Sequence, residues 1–89
     1  MSIPFTLGRT VITSNALDKL HPEDAALCLS RHSRGDWGEL CEHDRKENER
    51  GLAVGGRLFS VYRDRHGVRF YVVTEADRSV TTTLLPEDY

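Results

Sequence analysis

"RLFSVYRDRHGVRFYVVTEADRSVTTTLLP", residues 57–86, decides the fold. Three segments of it, "RLFSVYRD", "VRFYVVTE" and "SVTTTLLP", are rich in β-branched and aromatic residues, the composition of strands. In "DRHG", residues 64–67, an aspartate opens a type I turn and a glycine takes a left-handed position, which predicts a tight hairpin. "ADRS", residues 76–79, is polar and of hairpin length. Links this short make the three strands antiparallel neighbours.

Side chains alternate across a strand. Phe70 and Val72 share one face of the central strand, and Tyr71 and Val73 share the other. The preceding strand splits in the same way, Leu58 and Tyr62 against Phe59 and Val61. Both faces are apolar. Helices can cover one; the N-terminal segment, a second subunit or a partner must cover the other.

Upstream of this core, "FTLGRTVIT", residues 5–13, reads as a strand and "SNALDKL", residues 14–20, as a short helix. "HPEDAALCLSRHSRG" predicts a helix, with Pro22 in its first turn and Glu23 and Asp24 at the positive end of its dipole. Ala25, Cys28 and Leu29 form its apolar side, Ala26 and Leu27 widen the stripe, and Gly35 stops it. "DWGEL" is a loop that packs Trp37 back on the core. "CEHDRKENERGLAVGG" is a surface helix with a thin buried stripe, ended by Gly55 and Gly56. The expected fold is α+β: a three- to four-stranded antiparallel sheet packed against two or three short helices, in one domain over residues 1–89.

The chain has 89 residues, 38% hydrophobic and 29% charged, with a formal net charge of −2. That length gives one modest core and little room for a deep pocket, so binding across a surface is favoured. A slightly negative chain has no global field toward nucleic acid or membrane. "MSIPFTLGRT" lacks the basic and apolar regions of a signal peptide, and no apolar run is long enough for a membrane span. Cys28 and Cys41 are then expected as reduced thiols in the cytoplasm.

Three constellations could carry chemistry. Glu75 and Asp77 bracket Ala76, but no partner faces them, and an aspartate two residues before a serine more readily caps its own turn. Arg78 would pair with Glu75 or a helix carboxylate. Cys28, His32, Cys41 and His43 form C-x3-H-x8-C-x-H, ligand types that zinc takes, at a spacing that matches no common zinc module. A buried free cysteine is the commoner state of Cys28, and no cofactor is assigned. The hairpin also carries Arg57, Arg63, Arg65 and Arg69 interleaved with aromatics, a pattern that can hold phosphates and stack bases. The competing explanation pairs these arginines with Glu42, Asp44, Glu47 and Glu49 of the acidic helix. Nucleotide-cradling glycine loops and nucleophile motifs are missing from the sequence.

The segments "RHSRGDWGEL", "ENERGLAVGGRLFSVY" and "FYVVTEADRSVTTTLLPEDY" resemble a family of small, uncharacterised bacterial proteins associated with plasmids and other mobile elements, some labelled restriction–modification subunits. The resemblance spans about Leu29 to Tyr89. It implies a setting of mobile DNA, bacterial cytosol and conflict with host defences, and assigns no catalytic or binding residue. The sequence lacks the cofactor loop and catalytic motif that a methyltransferase subunit needs. The expectation is therefore a non-enzymatic accessory protein that binds a host or element protein and inhibits a CRISPR or restriction complex. Its expected contact residues are Phe59, Arg63, Arg65, Arg69 and Tyr71. A nucleic-acid-binding regulator using the arginine hairpin is the alternative, and a homodimer stays open.

Overall fold

A computed structural model describes residues 5–89 of the chain. Residues 1–4, which open the stretch read as lacking a signal peptide, lie outside the described residues. The elements run β1 (Arg9–Ile12), α1 (Ser14–Lys19), α2 (Pro22–Ser33), α3 (Glu42–Val54), β2 (Leu58–Arg63), β3 (Arg69–Thr74), β4 (Val80–Leu84) and a 3-10 turn (Pro86–Asp88). The fold is α+β, with one open four-stranded sheet in the order β1-β4-β3-β2. β2, β3 and β4 form the antiparallel meander that the short links require. β1 joins the far side of β4 in parallel, Arg9 opposite Val80 and Ile12 opposite Thr83, so the sheet is mixed at that one pairing.

Each boundary has a local cause. Asp64 accepts from the main-chain N–H groups of His66 and Val68 and closes the β2–β3 hairpin. The same carboxylate accepts from His21 N–H, just before α2, and so ties hairpin to helix. Thr13 caps α1 through Ala16 N–H, and the His21 ring caps α2. α3 ends at Gly55, whose φ of 82° suits a residue without Cβ. β1 is shorter than the strand expected over residues 5–13. Gly8 interrupts it at φ 64°, where a Cβ would lie 2.3 Å from the Arg78 carbonyl oxygen.

α1 and α2 cover the sheet face that carries Tyr62, Phe70 and Val72. With Ala16, Leu20, Cys28 and Leu85 these residues form the main core. Full burial of side chains such as Phe70 and Val72 stabilises by about 1.5–3 kcal/mol each. A second cluster gathers Phe5, Trp37, Leu40, Leu58 and Val61. The expected return of Trp37 to the core is present: it is buried, and its indole N–H donates to Glu49 at 2.9 Å.

The same core contains a polar wire. His32 is fully buried. Its Nδ1 lies 2.5 Å from Ser60 Oγ and its Nε2 lies 2.9 Å from Thr74 Oγ1. Thr74 continues to Thr81 at 2.7 Å, and Thr81 donates to the Leu7 carbonyl at 2.7 Å. That carbonyl can only accept, which fixes the protons from it as far as His32. Thr81 donates to Leu7, Thr74 to Thr81, and His32 Nε2–H to Thr74. Burial lowers the His32 pKa from 6.5 to about 4, which keeps the ring neutral, so Nδ1 accepts from Ser60.

Candidate functional site

The second sheet face carries Phe59, Val61 and Arg63 from β2, Arg69, Tyr71 and Val73 from β3, and Thr82 and Leu84 from β4. Its cover comes from a part of the chain that the sequence reading did not consider. After β4, Pro86 starts the 3-10 turn, and the chain folds back onto this face. Asp88 secures the turn by accepting from Thr13 Oγ1 at 2.7 Å and from Leu85 N–H at 3.1 Å. Tyr89 then stands edge-on to both Phe59 and Tyr71, with ring centroids 5.8 Å away in each case. Phe59 and Tyr71 contact each other at 4.7 Å.

The cover is partial. Val61, Val73 and Leu84 are buried, Phe59 and Tyr71 are half-buried, and Tyr89 is 64% exposed. Tyr89 divides two shallow grooves. One, of about 390 Å³, has Val73, Thr82 and Leu84 along it, with Arg57, Glu75 and Asp88 at its rim. The other, of about 290 Å³, has Leu40, Asn48 and Phe59 beside Asp44 and Glu47 of α3.

The arginines are arranged around this cluster. Arg63 and Arg69 sit directly opposite each other in the ladder, a like-charge placement that is unfavourable by itself. Glu39 relieves Arg63 at 3.0 Å, and the Arg69 guanidinium lies 5.9 Å from the centre of the Tyr71 ring. Arg57 lies 5.8 Å over Tyr89, donates to its hydroxyl and pairs with Glu75 at 3.4 Å. Of the residues expected to make contact, Phe59, Arg63, Arg69 and Tyr71 come together. Arg65 does not. It bonds Asp24 of α2 at 3.0 Å and holds that carboxyl down to about 2. The alternative pairing with Glu42, Asp44, Glu47 and Glu49 of α3 is not what the structure shows. Arg57, Arg63 and Arg65 take Glu75, Glu39 and Asp24 instead.

The "EADR" turn is structural. Asp77 accepts from Ser79 N–H and Oγ. Arg78, at φ 62°, pairs with neither Glu75 nor a helix carboxylate, contrary to expectation. It donates to the carbonyls of Gly51 and Gly56 at 3.0 and 2.6 Å, and to those of Glu75 and Ala76. A cation at the carbonyl end of α3 also complements the helix dipole. The four metal-type residues do not converge. Both His32 nitrogens are engaged, Cys28 is buried, and Cys41 is exposed at the start of α3. Among the described residues no group of three or more histidine, cysteine or acidic side chains could hold a metal ion. None of the described helices is long and apolar enough to cross a membrane.

Comparison with protein-family models, curated proteins and solved structures found no match to this chain.

Proposed function

We propose that this chain is a non-enzymatic accessory protein that grips another protein with the half-covered sheet face. The observation that carries this reading is the Phe59–Tyr71–Tyr89 cluster, rimmed by charges of both signs. Aromatic anchors with arginine beside them are the residues that dominate protein interfaces. Asp44 and Glu47 line one groove and Asp88 the other, so the rim suits a partner with mixed charge better than a polyanion. The ion pairs of Arg57 and Arg63 are exposed and hold those side chains weakly, leaving them free to exchange partners. The resemblance to plasmid-associated proteins supports a role in a bacterial mobile element, with a host CRISPR or restriction complex as the target.

A pull-down from bacterial lysate treated with nuclease tests this. One protein should stay bound to the wild type and be lost with Tyr89→Ala and Arg69→Glu, two exposed positions whose change leaves the core intact. Binding unaffected by both variants would refute the assignment of this face.

A second reading has one observation in its favour. Arg57, Arg63 and Arg69 stand on the face that presents three aromatic rings, as single-strand binding requires. A mobility shift that weakens steeply with salt would select it.

A further inference from the structure

The two edges of the sheet are treated differently. At β2 the outward main-chain groups of Phe59 and Val61 are occupied. Val61 N–H donates to the Trp37 carbonyl at 3.2 Å, and the Val61 carbonyl accepts from Glu39 N–H at 2.8 Å. The Asn48 side chain bonds both the N–H and the carbonyl of Phe59, at 3.0 and 2.6 Å, in the manner of a neighbouring strand. At β1, Arg9 and Thr13 turn their N–H groups inward to Ser79 and Thr83, each at 3.0 Å. Thr10 and Ile12 alternate with them and turn their main chain outward. Among the described residues nothing pairs with that edge. An open edge is a template for another strand.

We propose that β1 is a dimer interface, at which two copies pair antiparallel about Val11 and join their sheets. In this register Thr10 lies opposite the partner's Ile12, and the two exchange main-chain hydrogen bonds. Three features select a second copy as the occupant. First, the Thr10 and Ile12 side chains of an added β1 fall on the helical side of the sheet. A trough of about 180 Å³ already lies there between β1 and Ala25, Ala26 and Leu29 of α2, and a second, of about 440 Å³ and lined by residues 5–8 with Ser33, meets it at Thr10. Ile12 is 37% exposed in the single copy and gains cover.

Second, the charges match. Arg9 is exposed and makes no ion pair among the described residues. The antiparallel register sets it opposite the partner's Thr13. In each copy the Thr13 hydroxyl holds the Asp88 carboxylate at 2.7 Å, so each Arg9 meets an acid and the contact is satisfied twice by symmetry. Third, the assembly closes. Pairing consumes both open edges, and each β2 edge is already occupied at Phe59 and Val61, so growth stops at two. This interface lies at the sheet edge and shares only Asp88 with the rim of the partner-binding face proposed above.

Sedimentation equilibrium of the full chain, from low micromolar to near-millimolar concentration, tests the proposal. The expected result is a reversible monomer–dimer equilibrium. Thr10→Pro removes an N–H that the β1–β4 ladder does not use, and Arg9→Glu places like charges together. Each should weaken the dimer at least ~10-fold, equivalent to about 1.4 kcal/mol. Circular dichroism distinguishes this from unfolding, and Arg9→Glu leaves the backbone untouched should the proline variant fold poorly. A wild type that stays monomeric throughout, or a dimer that ignores Arg9→Glu, overturns the proposal.

Discussion

Acidification should loosen this protein through His32, which is buried in its neutral form. In the unfolded chain the imidazole takes up a proton near 6.5; in the folded chain it does so only near 4. Its folded pKa is depressed, so its contribution is fully present above 6.5. Between 6.5 and 4 the unfolded state binds more protons, and stability falls as pH falls. The gap corresponds to roughly 3 kcal/mol at 1.36 kcal/mol per pH unit. A chain of this size has only about 5–10 kcal/mol in total, so the loss is a large share. Asp24 titrates separately: its pKa is lowered from 3.8 to about 2, so its stabilisation disappears only below 3.8. The assay is urea unfolding followed by Trp37 fluorescence at pH 7.5, 5.5 and 4.5, on the wild type and on His32→Gln. The wild-type midpoint should drop steadily across that series, and the variant, less stable at pH 7.5, should show a flatter slope. Equal midpoints for the wild type at pH 7.5 and 4.5, or parallel slopes for the two proteins, would refute the reasoning.

Three further outcomes are expected. Asn48→Ala strips the pseudo-strand contact from Phe59 and leaves two main-chain groups at the β2 edge without their partner; thermal melting should register a loss of about 2 kcal/mol. Arg78→Ala should cost a similar amount, about 2 kcal/mol by denaturant titration, and Arg78→Lys should recover less than half, since an ammonium cannot span carbonyls from both α3 and the turn. Cys41 should react at once with a thiol reagent in the folded protein. Cys28, whose thiol burial pushes its pKa up, should react only after urea unfolding.

Local signals were easy to read. Pro22, Glu23 and Asp24 mark the start of α2, Gly55 marks the end of α3, and "DRHG" marks the hairpin, each because the deciding chemistry lies within a few residues. The errors concern groups whose partners are distant. Carboxylates neighbour Arg78 in sequence and predict an acid as its partner. Its acceptors are carbonyls at the end of α3, which no local pattern announces. His32 stood among metal-ligand candidates, yet Ser60 and Thr74 answer it. The signal was available: period-two alternation places both hydroxyls on the face of Leu58, Tyr62, Phe70 and Val72, where a buried polar group must find a partner. Phe59 and Tyr71 are both expected contact residues, but nothing in the local pattern connects Tyr89 to them, although Pro86 starts the turn that carries it there.

The parallel pairing of β1 with β4 also has a kinetic side. Arg9 meets Val80, and between them lies nearly the whole of the described chain. The β2–β3–β4 meander can assemble from neighbouring residues, but the fourth strand must wait for the longest loop closure in the molecule. During synthesis β1 leaves the ribosome first and finds its neighbour last. A nascent chain therefore carries an unpaired strand until β4 has emerged.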